Sequence, residues 1–224
     1  MLRRRVLWSV MTVFSLLVAA AATAYFRFDP DLYFPAQRSV YLTRQLPLHL
    51  HIAGALVALA AGPWQFAARL RTRRPRIHRT VGTLYLVGCL IGGLGGIALS
   101  TTAHGAAMAS AGFAALGALW LATGAAGLAA ILRGDVLAHR RWMVRSFSLT
   151  FAAVTLRVYL GIAMALTATD AWSVPFATSY AAIAWIAWVP NLAVAWWLTR
   201  RRPEQAEAPV HGAAALASAG GGAS

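Results

Sequence analysis

Long apolar runs separated by short polar segments set the pattern of this chain. Six runs, at residues 6–26, 46–68, 81–102, 106–132, 143–168 and 174–198, hold almost no charge. Each reaches the roughly 20 residues that carry a helix, at about 1.5 Å per residue, across about 30 Å of hydrocarbon. No stretch alternates with the period of two that a barrel strand needs, and lipid cannot satisfy free backbone groups, so the runs predict helices. The expected fold is an all-α polytopic membrane helix bundle of about six transmembrane helices, forming one transmembrane domain over 1–202. The remainder, 203–224, is rich in Ala, Gly and Ser without apolar period, and predicts a disordered cytoplasmic tail.

The polar connections give a direction. Sixteen arginines fall in the segments on one side: Arg3, Arg4 and Arg5, then Arg69, Arg71, Arg73, Arg74, Arg76 and Arg79, then Arg133, Arg140, Arg141 and Arg145, then Arg200, Arg201 and Arg202. The other side holds only Arg27, Arg38 and Arg44, and Arg157 lies within a span. Basic loops stay inside, so both termini are expected in the cytoplasm of a bacterial cell, the chain lying in the inner membrane. The start, Met1-Leu2-Arg3-Arg4-Arg5 with Ala22-Thr23-Ala24 after an apolar run, also fits a cleaved secretory signal. Its run is longer than a signal core, which favours a retained helix. The long outer segment from Arg27 to Gln45, with Asp29, Asp31 and several aromatics, is expected to lie along the membrane interface.

Composition removes two classes. With 59% hydrophobic and only 12% charged residues, the chain cannot cover a soluble core, which takes about a quarter charged residues. A net charge of +14 invites nucleic acid, but all twenty basic residues are Arg and they occur in short clusters between apolar runs. A nucleic-acid face needs a continuous basic surface, so that partner is excluded. The lone Cys89 rules out an internal disulfide and a cysteine-built zinc or iron–sulfur site. The partners that remain are the lipid bilayer and anionic headgroups at the inner surface.

Small and kinking residues shape the bundle. Gly88, Gly92 and Gly96 share a face of the third span, where helix backbones can approach closely. Gly112, Gly117, Gly124 and Gly127 offer the same to the fourth. Gly62-Pro63 and Pro190-Asn191 are expected to kink the second and sixth spans.

Candidate chemistry rests on histidines and one arginine. His49 and His51 sit near the outer end of the second span and His104 before the fourth; His78 and His139 open the third and fifth at the inner side. Neutral imidazole is a common axial ligand to haem iron, so His51 with His104, and His78 with His139, form two candidate bis-histidine sites for haem b. No other metal is implied. The structural alternative is that these histidines sit at interfaces, where His78-Arg79 and His139-Arg140 suit lipid phosphate equally well. Arg157 lies too deep to reach the surface easily, and an intramembrane charge is a binding candidate for a propionate, an anionic lipid or a small anionic molecule. Its structural alternative is pairing with helix carbonyls and Asn191. If the helix runs unbroken from His139, then Ser146, Thr150, Ala153, Arg157 and Gly161 share its inward face. His51, Ala55, Ala58, Gly62, Gln65 and Arg69 form a similar stripe. There is no carboxylate pair, nucleophile elbow, phosphate loop or zinc-protease helix, so the sequence names no enzymatic reaction. Electron transfer, transport or binding of an anion, and a purely structural subunit are the functions left.

The combination of His51-Ile52, Gly62-Pro63-Trp64-Gln65-Phe66, His78-Arg79 with Gly82 and Tyr85, Thr155-Leu156-Arg157, and the run from His139 to Ser146 resembles an uncharacterised family of bacterial predicted membrane proteins. The resemblance spans about 46–198 and implies a multi-pass membrane protein with no established reaction. In layout alone, histidines on spans two to five are similar to the six-helix cytochromes b that take electrons from ascorbate, which implies haem between spans two and four and between three and five.

Overall fold

The structure, a computed structural model, describes residues 2–103, 106–169, 171 and 173–200. The candidate ligand His104 and the expected disordered tail 203–224 lie outside the described residues. The described residues form helices α1 (Leu2–Ala22), α2 (Arg38–Thr43), α3 (Gln45–Ala61), α4 (Ala68–Arg73) and α5 (Pro75–Ser100). They continue as α6 (Ala106–Leu132), α7 (Val136–Thr150), α8 (Ala152–Ala168), α9 (Phe176–Ile186) and α10 (Val189–Leu198), with short 3₁₀ turns between some of them. Six segments of this all-α bundle are long and apolar enough to cross a membrane.

Helix ends explain where the spans depart from hydropathy. The third begins at Pro75, whose missing N–H costs nothing in a first turn, so α5 carries its arginines within helix. The fifth begins at Val136, where the Asp135 carboxylate accepts from the Ala138 amide at 2.8 Å. Gly134, at φ 78°, ends α6, with the Asp135 amide donating to the Ala130 carbonyl at 3.0 Å.

The last two spans are interrupted. The fifth breaks at Phe151, between α7 and α8, and the sixth at Ala187–Trp188, ahead of Pro190, whose ring cannot sit against a continuing turn. Carbonyls freed at these breaks need donors in a bundle that excludes water. The Asn191 amide supplies them, reaching Ser148 O at 3.4 Å, Ala187 O at 3.1 Å and Thr155 Oγ1 at 3.1 Å, while Thr155 Oγ1 donates to Ala187 O at 2.5 Å. Asn191 thus ties the two breaks together and does not pair Arg157.

One member of the expected face is not covered. Ser146 and Thr150 are buried and Ala153 and the more exposed Arg157 line a cavity, but Gly161 is exposed with open space beside it. Gly161 shares α8 with Ala153 and Arg157. It is uncovered because almost the whole outer end of that helix, from Gly161 to Ala168, lacks a packed neighbour among the described residues.

Glycine sets the tightest packing, between α3 and α5. A side chain at Gly88 would stand 2.7 Å from Gly54 O, and one at Gly92 would stand 2.9 Å from the Ala55 amide. The backbones therefore touch where side chains would hold them apart. At the centre Tyr85, 1% exposed, places its hydroxyl 2.9 Å from both Ser146 Oγ and Thr150 Oγ1, and Trp120 Nε1 donates to Thr150 Oγ1 at 2.9 Å. This satisfied polar cluster fixes the relative positions of α5, α6 and α7.

Candidate functional site

The outer segment, expected at the membrane interface, is seen packed on one end of the bundle. It folds over the bundle as short turns and α2, with Tyr33 and Gln37 buried. Tyr25, Tyr33 and Tyr41 pack as a trio, ring centroids 5.4, 6.1 and 6.0 Å apart, and Phe34 meets Phe176 at 5.9 Å. Gln37 Nε2 donates to the Tyr180 hydroxyl at 3.1 Å, pinning this roof to α9. Tyr25, Phe34, Gln37 and Tyr41 of this segment border a gap among α3, α5, α6, α8 and α9.

Beneath the roof is a cavity of about 260 Å³. Its walls are mainly apolar, including Leu48, Ile52, Phe113, Leu116, Leu149, Leu156 and Leu160. The polar lining consists of His51, Arg157, Gln37, Ser100, Thr150, Trp120 and the tyrosines Tyr25, Tyr41 and Tyr180. Apolar walls with a few convergent polar groups are the usual make-up of a small-molecule site. Both helix interruptions border it, through Thr150, Ala152 and Ala153 on one side and Ala187 on the other.

His51 is oriented by the glycine face. A backbone carbonyl only accepts, so Nδ1 of His51, 2.8 Å from Gly92 O, carries the proton and leaves Nε2 with a lone pair in the neutral ring. The ring lies over Gly96, where an added methyl group would come within 2.9 Å of Nδ1. One glycine thus exposes the carbonyl that His51 needs, and another leaves room for the imidazole.

Arg157 lies on α8 and donates from Nη1 to Ala153 O at 2.9 Å, its one hydrogen bond among the described residues. Among the described residues no carboxylate lines the cavity. The ion pair among the described residues joins Arg38 to Asp31 in the roof segment. Tyr25, Tyr41 and His51 are near enough to Arg157 for electrostatic interaction. Burial, and after it the neighbouring Tyr180 and Tyr25, push the Tyr41 hydroxyl up, with Arg157 acting the other way, so Tyr41 remains a protonated donor.

The structure brings His51 and Arg157 into one cavity and leaves His78 and His139 at the arginine-rich end. His139 Nδ1 donates to Gly127 O at 2.8 Å, while His78 Nδ1 is buried without a partner. These two are near enough to interact electrostatically. Among the described residues no three His, Cys, Asp or Glu side chains converge as a metal site. His49 stacks on Phe28 at 4.5 Å, outside the cavity lining. Sequence reasoning missed Gln37, Tyr25, Tyr41 and Tyr180; the available signal was four polar-tipped side chains flanking an otherwise apolar outer face.

No curated protein and no solved structure matches the chain, so the layout likeness to the ascorbate-dependent cytochromes b gains no support. A family described as Predicted membrane protein (DUF2306) matches residues 48–199, which include His51, Arg157 and both interrupted spans. The chain belongs to this family of predicted membrane proteins, of unknown function.

Proposed function

We propose that this multi-pass membrane protein sits in the bacterial inner membrane with both ends cytoplasmic and binds a small anionic amphiphile in the cavity between Arg157 and His51. Arg157 carries this reading: a guanidinium within a span faces a cavity lined by no carboxylate among the described residues, where it bonds only its own helix. Such a charge is costly unless paired, and a ligand carboxylate or phosphate would pair it. His51 Nε2 can accept a proton or hydrogen bond from the same ligand. A volume of about 260 Å³ lies just below the range of about 300–1,000 Å³ typical of drug-sized ligands, which favours a short apolar body. The two interrupted helices bordering the cavity support a carrier over a purely structural subunit, since membrane carriers build substrate sites at such breaks. The arginine-rich end is suited to anionic headgroups at the cytoplasmic surface.

One observation favours the redox alternative. His51 and His139 each give Nδ1–H to a glycine carbonyl, the arrangement that readies Nε2 as a ligand to haem iron. The test serves both readings. Detergent-purified protein is titrated with octanoate, octanamide and octylamine while thermal unfolding is followed, and a reduced-minus-oxidised spectrum is taken after expression with haem supplied. Octanoate alone is expected to raise Tm, and Arg157→Gln to abolish the rise. An equal rise in Arg157→Gln would defeat the anion reading, and a b-type spectrum lost in His51→Ala or His139→Ala would put the redox reading in its place.

A further inference from the structure

Another arginine, at the other end of the bundle, is buried. Arg145, on α7, is 8% exposed, and its guanidinium lies 3.7 Å from the ring centre of Trp196 and 4.7 Å from that of Trp142. The two indoles meet at 80°, and Arg145 Nε donates to Thr199 Oγ1 at 3.1 Å. The guanidinium is therefore fixed in orientation, while its two terminal nitrogens form no hydrogen bond among the described residues. Arg145 lines a pocket of about 330 Å³ with Arg141 and Arg200, and no carboxylate among the described residues lines it.

Stacking on tryptophan accounts for Arg145 being buried. It does not account for three guanidinium-bearing side chains around one cavity, with Arg141 near enough to repel Arg145. Like charges gathered in this way are relieved when an anion sits among them. A planar, oriented fork matches two oxygens of a phosphate, and Arg141 and Arg200 can reach the others. Trp196 and Trp197 are exposed beside the pocket, as indoles are at the headgroup level of a bilayer.

We propose that the pocket between α7 and α10 binds a phosphate group, with Arg145 as the oriented contact and Arg141 and Arg200 as the charges that close around it. The phosphate belongs to a lipid headgroup or to a soluble phosphate. This site is separate from the cavity of Arg157 and stands or falls independently of it.

The test uses the full chain in a zwitterionic detergent and follows tryptophan fluorescence, since Trp142 and Trp196 flank the site. The probes are dioctanoyl phosphatidic acid, dioctanoyl phosphatidylcholine and inorganic phosphate. A saturable response to phosphatidic acid alone indicates a lipid source, and a response to inorganic phosphate as well indicates a soluble one. The double variant Arg141→Gln/Arg200→Gln leaves the Arg145 stack in place, so it should fold and bind about tenfold or more weakly. Arg145→Lys keeps the charge, loses the fork and should weaken binding too. Arg73→Gln/Arg76→Gln, at exposed arginines outside the pocket, should bind as the unaltered protein does. No response to any probe would overturn the proposal. So would unchanged affinity in the Arg141→Gln/Arg200→Gln protein, or an equal loss in the Arg73→Gln/Arg76→Gln protein, which would mean diffuse attraction to a basic surface.

Discussion

Arg157 and Arg145 lie on the two halves of one interrupted span and meet the same difficulty by different means. Arg145 lies against two indoles and is held at Nε by a threonine, so most of its environment is supplied by the protein. Arg157 has a single bond to a carbonyl one turn back on its own helix and otherwise faces a cavity. A charge stabilised by its surroundings is part of the architecture even where it also meets a ligand. A charge left facing an apolar-walled cavity makes the folded protein less stable than it need be, and such a cost points to binding. The contrast teaches that depth in the membrane says less about an arginine's role than the partners it keeps.

Replacing each arginine should break the symmetry between them. Arg157→Leu is expected to weaken octanoate binding about a hundredfold or more, the scale of about 2–5 kcal/mol for losing one partner of a buried charge pair. Its thermal stability without ligand should equal or exceed that of the unaltered protein, because about 2.5–3.5 kcal/mol of insertion cost is removed. A clear drop in Tm on Arg157→Leu would mean that this arginine is structural after all.

The histidine beside it gives the next largest effect. Gly96→Val puts a branched side chain where even a methyl group comes within 2.9 Å of His51 Nδ1, so the ring must move off Gly92 O. Overpacking of this kind costs about 1–3 kcal/mol, read as a lower midpoint of thermal unfolding. Octanoate binding should fall with it, whereas the phosphate response of the Arg145 pocket should not. Loss of both together would show that the two ends do not behave as separate sites.

Thr199→Ala probes the arginine that the protein itself holds. Removing the acceptor of Arg145 Nε should cost about 0.5–1.5 kcal/mol in thermal unfolding. The two indoles keep the guanidinium in place, so phosphate should still quench the tryptophans, with affinity lowered only a few-fold. An unfolded protein here would mean that the stack alone does not hold Arg145.

Much of the architecture was legible in the sequence because the bilayer imposes it. Six apolar runs had to become six spans, and the Gly88–Gly92–Gly96 face had to admit a neighbouring backbone, which proved to be that of Gly54 and Ala55. Pro190 announced an interruption, which falls just before it at Ala187–Trp188. Phe151 announced none, since no proline or glycine marks that break. Gly161 kept its register with Ala153 and Arg157 on α8, but periodicity could not tell that no described helix covers that end of α8.

The candidate site was legible residue by residue but not as a set. His51 and Arg157 each stood out as polar groups in apolar runs. The sequence set His51 beside a haem partner at His104, which lies outside the described residues. It offered Arg157 an anionic ligand, helix carbonyls or Asn191, of which a helix carbonyl, Ala153 O, is its partner among the described residues. Asn191 instead bonds the carbonyls freed at the two breaks. The sequence by itself determined the all-α bundle, its spans and its two unusual intramembrane side chains, because hydrophobic length and the cost of charge act on each segment alone. Only the tertiary structure decided that the roof segment packs on the bundle, that His51 is aimed by Gly92, and that no carboxylate among the described residues lines the cavity around Arg157. Those features depend on which helices touch, and a preference read one helix at a time carries no information about its neighbours.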